Sequence, residues 1–594
     1  MKKILIGLLA ATVLAAGCGK DNILWPEFDP QGNGESGTID EGNGTATLPS
    51  SDDSDIADEV FARTISIVFS DASGATVSGD ANGIVKVSGN QVTVDNRDFD
   101  ETVKYLLSGT ASDGSLKLYS NNRQALVLDG LSLTNPSGAA INNQGKKRCY
   151  VVVKGVNTLS DGASATYAAT DGEDAKAVLF SEGQVLVSGS GSLGVNALNA
   201  QGKAAVTSDD YFYIDGTPVL TVKAGNKAGH GLRGKDYVRI AGGTLDVTTQ
   251  AAMKKGISSD GFVLVEGGNT TVNVTGGVAY DSEDQEYSGS AGVKADNYFG
   301  MTGGSLTITN SGTGGKGIHA GNYEYYADNG SLNDSYISGG TLKITTSGKE
   351  SNDVSSKAIK IGYKQGSGRS YQYGGNLVIS GGSVVVSSAC SEALEAKGKL
   401  TISGGELHVT SSADDAINSQ GEMNITGGYV YAYSSGNDGI DTNCDMKISG
   451  GYVFAVTTRG TPEVALDANT EGGYKLYIYS GATVVAYGGL ESGYSSANTV
   501  YSISGTANAW NALYNGSQFI AAFKAPSNLS TFAVTATSLQ SGYKGVSVGE
   551  TTLCNGVWAT SDISGGTAVS LGTYSGGGGP GGGGGYPGGP GRPW

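Results

Sequence analysis

The chain has 594 residues, 97 of them Gly and only 11 Pro, with a formal net charge of −18. That acidity argues against nucleic acid, whose phosphates need a basic footprint. Charged residues make up 16%, against about a quarter in an average domain, and Gly, Ser, Thr and Asn fill the difference, as many short strands and turns require.

The predicted elements begin with a leader. Lys2 and Lys3 precede a mostly apolar run from Ile4 to Ala16, too short to span a bilayer and typical of a targeting segment. Leu14-Ala15-Ala16-Gly17-Cys18 resembles the bacterial lipobox, with Ala15 where that pattern carries Leu. The resemblance implies cleavage before Cys18 and acylation of its thiol and new amino group. More than one acyl chain anchors stably where one does not. Lys20-Asp21-Asn22 resembles the short acidic export signals of some Gram-negative lipoproteins, which implies an outer-membrane, surface-exposed protein. Residues 19–60 hold eleven acidic residues against Lys20. Such a stretch buries too little apolar surface to order itself and reads as a flexible linker.

From residue 61 the pattern turns to strands. Runs such as ISIVFS, QVTVDN and SLKLYS alternate apolar and polar residues between turn residues, and residues 61–120 read as an N-terminal β cap. Residues 121–494 carry a dozen or more glycine landmarks, from Gly130 to Gly451. Their spacing becomes regular where Gly-Gly pairs begin at Gly381, Gly404, Gly427 and Gly450. The period, about 23 residues, falls in the range of solenoid repeats. A repeat of that length suits one coil of a parallel β-helix, with three short strands and three turns. No run shows the i, i+3, i+4, i+7 pattern of helical repeats, and the Leu-x-x-Leu-x-Leu of leucine-rich repeats is absent. The predicted class is therefore all-β, a parallel β-helix. Irregular gaps place insertions at 279–290, 323–335 and 362–375. Residues 495–573 remain β-like, with Trp510 and Trp558, and read as a C-terminal β cap. Residues 574–594 are a Gly/Pro-rich tail expected to be disordered.

Positions one period apart stack in such a coil, about 4.8 Å from one another. Glu392, Asp415 and Asp438 then form one column, with Asp414 beside it. Glu395, Asn418 and Asp441 form another, three residues along, and Asp467 follows. Like charges at that spacing repel by about 1–3 kcal/mol, so the column needs solvent, a neighbouring cation or a metal. Several carboxylates and an amide form the hard oxygen set that Ca²⁺ takes. The same two positions upstream hold His230 and Arg233, Lys255, Lys294, Lys316 and His319, then Lys357 and Lys360. One face is expected to be basic in its N-terminal half and acidic in its C-terminal half. Asp414, Asp415, Asn418, Asp438 and Asp441 are the expected ligands of one or two Ca²⁺, with Glu392, Glu395 and Asp467 as further candidates. The plainer alternative is a solvated turn row in which Lys397 and Lys399 neutralise the glutamates. Cys149, Cys390, Cys444 and Cys554 lie far apart without C-x-x-C spacing, and His230, His319 and His408 are the only histidines. Neither a disulfide framework nor a Cys- or His-based metal centre is expected.

The stretch 105–162 contains Leu107-Ser108-Gly109-Thr110, Leu126-Val127-Leu128-Asp129-Gly130, Ala139-Ala140-Ile141 and Asn157-Thr158-Leu159-Ser160-Asp161-Gly162. It resembles the opening of a bacterial carbohydrate-binding domain family whose founding clostridial member is a right-handed β-helix, and the likeness runs over roughly residues 100–575. The resemblance implies glycan binding, a right-handed helix related to that of pectate lyases, calcium on the helix, and no cleavage. The family carries Asp before a Gly-Ile pair. Asp415-Ala416-Ile417 and Asp438-Gly439-Ile440 keep that Asp, while His230 and Lys255 stand in its place upstream. On this reading the basic column, His230, Arg233, Lys255, Lys294, Lys316, His319, Lys357 and Lys360, meets the carboxylates of an acidic polysaccharide such as polygalacturonate, and calcium bridges protein and uronate. Tyr323, Tyr325, Tyr326, Tyr363, Tyr371 and Tyr373 in the insertions suit stacking on sugar rings, or else pack their own loops. Two other functions stay open. One is a calcium-dependent polysaccharide lyase, in which Lys357 or Lys360 removes a uronate proton; this requires a lowered lysine pKa. The other is a structural surface spacer or adhesin that binds protein partners.

Overall fold

The computed structural model describes residues 60–576 apart from 168–171, 200–202, 283–284 and 368–369, together with a short antiparallel pair, Thr38–Glu41 with Gly44–Thr47. The leader, the lipobox cysteine and residues 577–594 of the tail lie outside the described residues. Each regular coil supplies three strands, for example Leu400–Ile402, Glu406–Ser411 and Ile417–Ser419. Each strand pairs in parallel with its counterpart one period on: Leu400 with Met423, Glu406 with Tyr429, Ile417 with Ile440. The result is three parallel ladders, called here first, second and third in the order a coil meets them. The third extends into a 15-stranded sheet that reaches from Leu466–Ala468 back to Val85–Ser88.

The period-two alternation decides which side chains enter the core. In Glu406–Ser411, Leu407 and Val409 point in and are fully buried, while Glu406, His408 and Thr410 point out. Stacked coil on coil, these positions make continuous aliphatic columns. One is Leu377, Leu400, Met423, Met446 and Leu476; another is Ile359, Leu394, Ile417, Ile440 and Leu466. All are at most 1% exposed. Each such side chain is worth about 1.5–3 kcal/mol of burial, and a one-residue slip would turn the whole set outward. The corner before the second ladder needs a left-handed residue. Gly405 has φ +84°, and a Cβ there would stand 2.7 Å from the Gly381 carbonyl oxygen one coil away.

At the N-terminal side, Arg63–Ser70 pairs in parallel with Val103–Ala111, which pairs in parallel with Gln124–Asn135. The ladders thus cross residue 120 without a break. At the other side, Thr531–Thr535 lies antiparallel to Thr483–Tyr487, the last strand of the second ladder. A six-stranded sheet built around Trp510–Asn515 and Gln518–Lys524 then folds back over the side of the coils. Its Phe523 and Trp558, with Phe532, pack on Tyr431, Phe454 and Val485, and Trp558 Nε1 donates to the Val430 carbonyl at 3.2 Å.

The three insertions border one face. Ala279–Asp281 and Glu286–Ser288 form an antiparallel hairpin that leads into the third-ladder strand Ala291–Ala295. A helix, Tyr323–Asn329, starts on Asn322, whose side chain accepts from the Tyr325 N–H at 2.7 Å. Tyr363–Ser367 and Ser370–Gly374 form a second antiparallel hairpin. Helix and second hairpin leave from the C-terminal ends of the neighbouring third-ladder strands Lys316–Ala320 and Lys357–Ile361. Their aromatic rings meet: Tyr363 lies 5.3 Å from Tyr323 and 5.5 Å from Tyr326.

Candidate functional site

The register of the third ladder places one row rung by rung along its outer face: Arg233, Ser258, Lys294, His319, Lys360, Glu395, Asn418, Asp441 and Asp467. Three residues earlier in each strand runs a second row. Lys255, Ala291, Lys316 and Lys357 are in register. His230 stands one coil before Lys255, whose backbone N–H donates to His230 Nδ1 at 2.9 Å. Glu392, Asp415 and Asp438 occupy the equivalent place downstream, and the Asp438 N–H donates to Asp415 Oδ1 at 3.0 Å. The two expected columns therefore stand side by side, in the expected order of charge.

Most of the basic half is engaged within the chain. Arg233 pairs with Asp260 at 2.6 Å and Asp209 at 3.4 Å, and Lys294 pairs with Asp296. Lys255 Nζ donates to the carbonyls of Met253 and Gly289 at 2.5 and 2.8 Å, and Lys316 Nζ donates to that of Gly314 at 2.9 Å. Burial, with Lys294 and Lys254 nearby, pushes Lys255 down to about 7. Burial, with Lys360 and Lys357 nearby, does the same to Lys316. Burial and neighbouring lysines hold His230 and His319 well below the usual imidazole range, so both are neutral near pH 7. The side chains of His319 and Lys360 make no hydrogen bond or ion pair among the described residues.

The sign changes at one junction. Lys357 Nζ lies 2.8 Å from an oxygen of Glu392 and 2.8 Å from Oε2 of Glu395. Glu395 also pairs with Lys397 and is 1% exposed at its side chain. Burial opposes both charges. Even so, Glu395 and Glu392 hold Lys357 above the usual lysine range, and Lys357, Lys397 and Lys360 hold Glu395 well below the usual carboxylate range. Both glutamates expected as further metal ligands thus carry lysine partners.

The acidic half has none. Asn418 Nδ2 donates to Asp415 Oδ2 at 3.1 Å and to Asp441 Oδ2 at 2.7 Å. Asp414 Oδ1 accepts from the Asp415 N–H at 3.1 Å and from Asn437 Nδ2 at 3.3 Å. No lysine or arginine among the described residues forms an ion pair with Asp414, Asp415, Asp438, Asp441 or Asp467. Burial, followed by the neighbouring carboxylates, raises Asp414 to about 6, Asp438 to about 7 and Asp441 to about 8, and pushes Asp415 well above its ordinary value. Burial and a hydrogen bond with Glu491 raise Asp467 to about 10. Among the described residues no three His, Cys, Asp or Glu side chains converge on one point as they stand. The donors are nonetheless all oxygen, sunk in the protein and short of positive charge, which fits a hard cation in kind.

Sequence reasoning missed Glu491. Leu466 and Leu490 form a parallel bridge, and the Glu491 N–H donates to the Leu466 carbonyl at 3.0 Å, so Glu491 follows Asp467 as the next rung. Its place breaks the period of the regular coils, but a signal existed: Leu490-Glu491 repeats Leu394-Glu395, Ile440-Asp441 and Leu466-Asp467, an apolar residue followed by an acid.

No curated protein matches the chain. A solved structure that is similar is that of the polysaccharide lyase-like protein from C. thermocellum, a gadolinium derivative. It is 22% identical over 43% of this chain and 94% of that one, with a TM-score of 0.33, too loose a superposition to argue from. A family model described as carbohydrate-binding domain-containing protein matches residues 88–273, 199–435 and 372–519. These matches overlap and cover most of the chain, including both rows and all three insertions, and the chain belongs to that carbohydrate-binding domain-containing family.

Proposed function

We propose that this chain binds an acidic polysaccharide along the outer face of the third ladder, with calcium and without cleaving it. The observation that carries the reading is the change of sign along one row, from Lys294, His319 and Lys360 to Glu395, Asn418 and Asp441, on a face bordered by tyrosine-bearing insertions. Lysine and histidine donors suit uronate carboxylates, and aromatic rings suit the apolar faces of sugars. Asp414, Asp415, Asn418, Asp438 and Asp441 would hold the calcium, with Asp467 and Glu491 continuing the row. A bound divalent cation would neutralise these carboxylates and let an acidic protein hold an acidic polymer. The body is read as a right-handed parallel β-helix closed by β caps and tethered through acylated Cys18 to the outer surface of the outer membrane.

A lyase is the second reading, favoured by one observation: Lys255 and Lys316 are pushed to about 7 and Lys360 to about 8, first of all by burial. Amines in that range can take up a proton near neutrality. One experiment separates the two. The full chain is mixed with polygalacturonate, with calcium or with chelator, while absorbance is followed in the unsaturated-uronate band. Calcium-dependent binding with flat absorbance is expected. Rising absorbance would make the protein a lyase, and no binding in either condition would overturn the acidic-polysaccharide reading.

A further inference from the structure

On the binding reading above, the cations of the two rows divide into those engaged within the chain and those left for a ligand. Arg233, Lys294 and Lys357 are paired with carboxylates, and Lys255 and Lys316 are tied to backbone carbonyls. His230 accepts a backbone N–H. His319 and Lys360 remain, and they are partners on adjacent rungs. Glu395, on the rung after Lys360, is engaged by Lys357 and Lys397 and forms no ion pair with Lys360. The charge of Glu395 reaches Lys360, but the other charged groups facing His319 and Lys360 are Lys255, Lys294, Lys316, Lys357 and Lys397, so the local field still favours a further anion. A sunken cation whose nearest carboxylate is already shared with Lys357 and Lys397 is costly to the fold, a cost that an incoming carboxylate lowers.

The insertions add a wall at the same place. The helix begins four residues after His319 and the second hairpin three residues after Lys360. Tyr323 and Tyr326 from the first and Tyr363 from the second form one ring cluster there. We propose that His319 and Lys360 together receive the carboxylate of one uronate unit, with Tyr323, Tyr326 and Tyr363 as the aromatic wall beside that sugar. Lys360 supplies a charge-assisted hydrogen bond and the neutral imidazole of His319 supplies an N–H.

The test compares the full chain with Lys360→Gln, Lys360→Arg and His319→Gln by titration calorimetry. The probes are galacturonate oligomers and the same oligomers methyl-esterified, which removes the carboxylate charge. Lys360→Gln is expected to lose roughly 10- to 100-fold in affinity for the acidic oligomer, the range for a hydrogen bond to a charged group. Its affinity for the ester should not change, Lys360→Arg should keep most of the binding, and His319→Gln should fall between. The melting temperature of Lys360→Gln should hold or rise, because its like-charged neighbours lose a repulsive partner; a cation with a structural role would lower it. Equal binding of the acidic oligomer by Lys360→Gln and the parent, or a lowered melting temperature, overturns the subsite while the binding reading stands. A parent chain that takes up neither oligomer overturns both.

Discussion

The ammonium of Lys357 lies 2.8 Å from the carboxylate of Glu395, across the rung at which the basic face becomes an acidic one. The same ammonium reaches Glu392 in the adjoining row. One lysine thus separates a row of lysines and histidines from a row of carboxylates that form no ion pair with a lysine or arginine among the described residues.

Removing that lysine leaves Glu392 without an ion-pair partner among the described residues and Glu395 with Lys397 alone. Lys357→Met is expected to cost about 3–5 kcal/mol, the range for breaking a buried pair on one side, measured by urea unfolding. The pH range follows from the signs of the shifts. Glu395 is held below its ordinary 4.5, so its contribution is complete above that pH and is lost as pH falls toward the lowered value. Lys357 is held above its ordinary 10.5, so its contribution is complete below that pH and is lost only as pH rises through the raised value. The deficit of the variant should therefore be level between about pH 5 and 10.

Calcium should stabilise the chain by about 2.7 kcal/mol at a concentration 100-fold above its dissociation constant. The double variant Asp415→Asn/Asp441→Asn should lose that increment. In chelator it should melt higher than the parent, because two mutually repelling carboxylates have gone. An undiminished calcium shift in the variant would remove these residues from the ligand set.

Lys316 gives a pH signature of the opposite kind. Its value in the fold is about 7, against an ordinary 10.5, so between those limits the unfolded chain binds more protons. Its contribution to stability therefore rises with pH, by at most about 1.4 kcal/mol per unit. The stability of the parent relative to Lys316→Met should climb from pH 7 to 10, and a flat difference would show that burial does not shift this lysine.

Gly317 tests the packing of the coils beneath the row. A Cβ there would stand 2.3 Å from Ile344 Cγ2 and 2.4 Å from the Ala358 carbonyl oxygen, one of them backbone that cannot swing aside. Gly317→Ala is expected to cost about 1–3 kcal/mol, read by thermal unfolding, with the charge of the face unchanged.

The pattern of residues by itself determined the repeat and its register. Side chains alternate with period two, and glycine corners recur at one fixed interval from Gly381. Only one stacking therefore buries Leu394, Ile417 and Ile440 together, and that stacking necessarily lines up Glu395, Asn418 and Asp441. Two charge pairs on this face are local, Lys294 with Asp296 and Lys397 with Glu395, each two residues apart; tertiary structure decided the others. Asp209 and Asp260 reach Arg233 from the coils on either side of it, and the Gly289 carbonyl reaches Lys255 from within the 279–290 insertion. Glu491 joins the acidic row only because the chain returns to the Leu466 strand after an irregular loop. The C-terminal sheet lies along the flank because Tyr431 and Phe454 offer it an apolar bed there. Periodicity encodes what repeats; apart from neighbours such as Glu395 and Lys397, the neutralisation of a buried charge depends on whichever group arrives within a few ångströms from another coil or an insertion, and no local pattern records that.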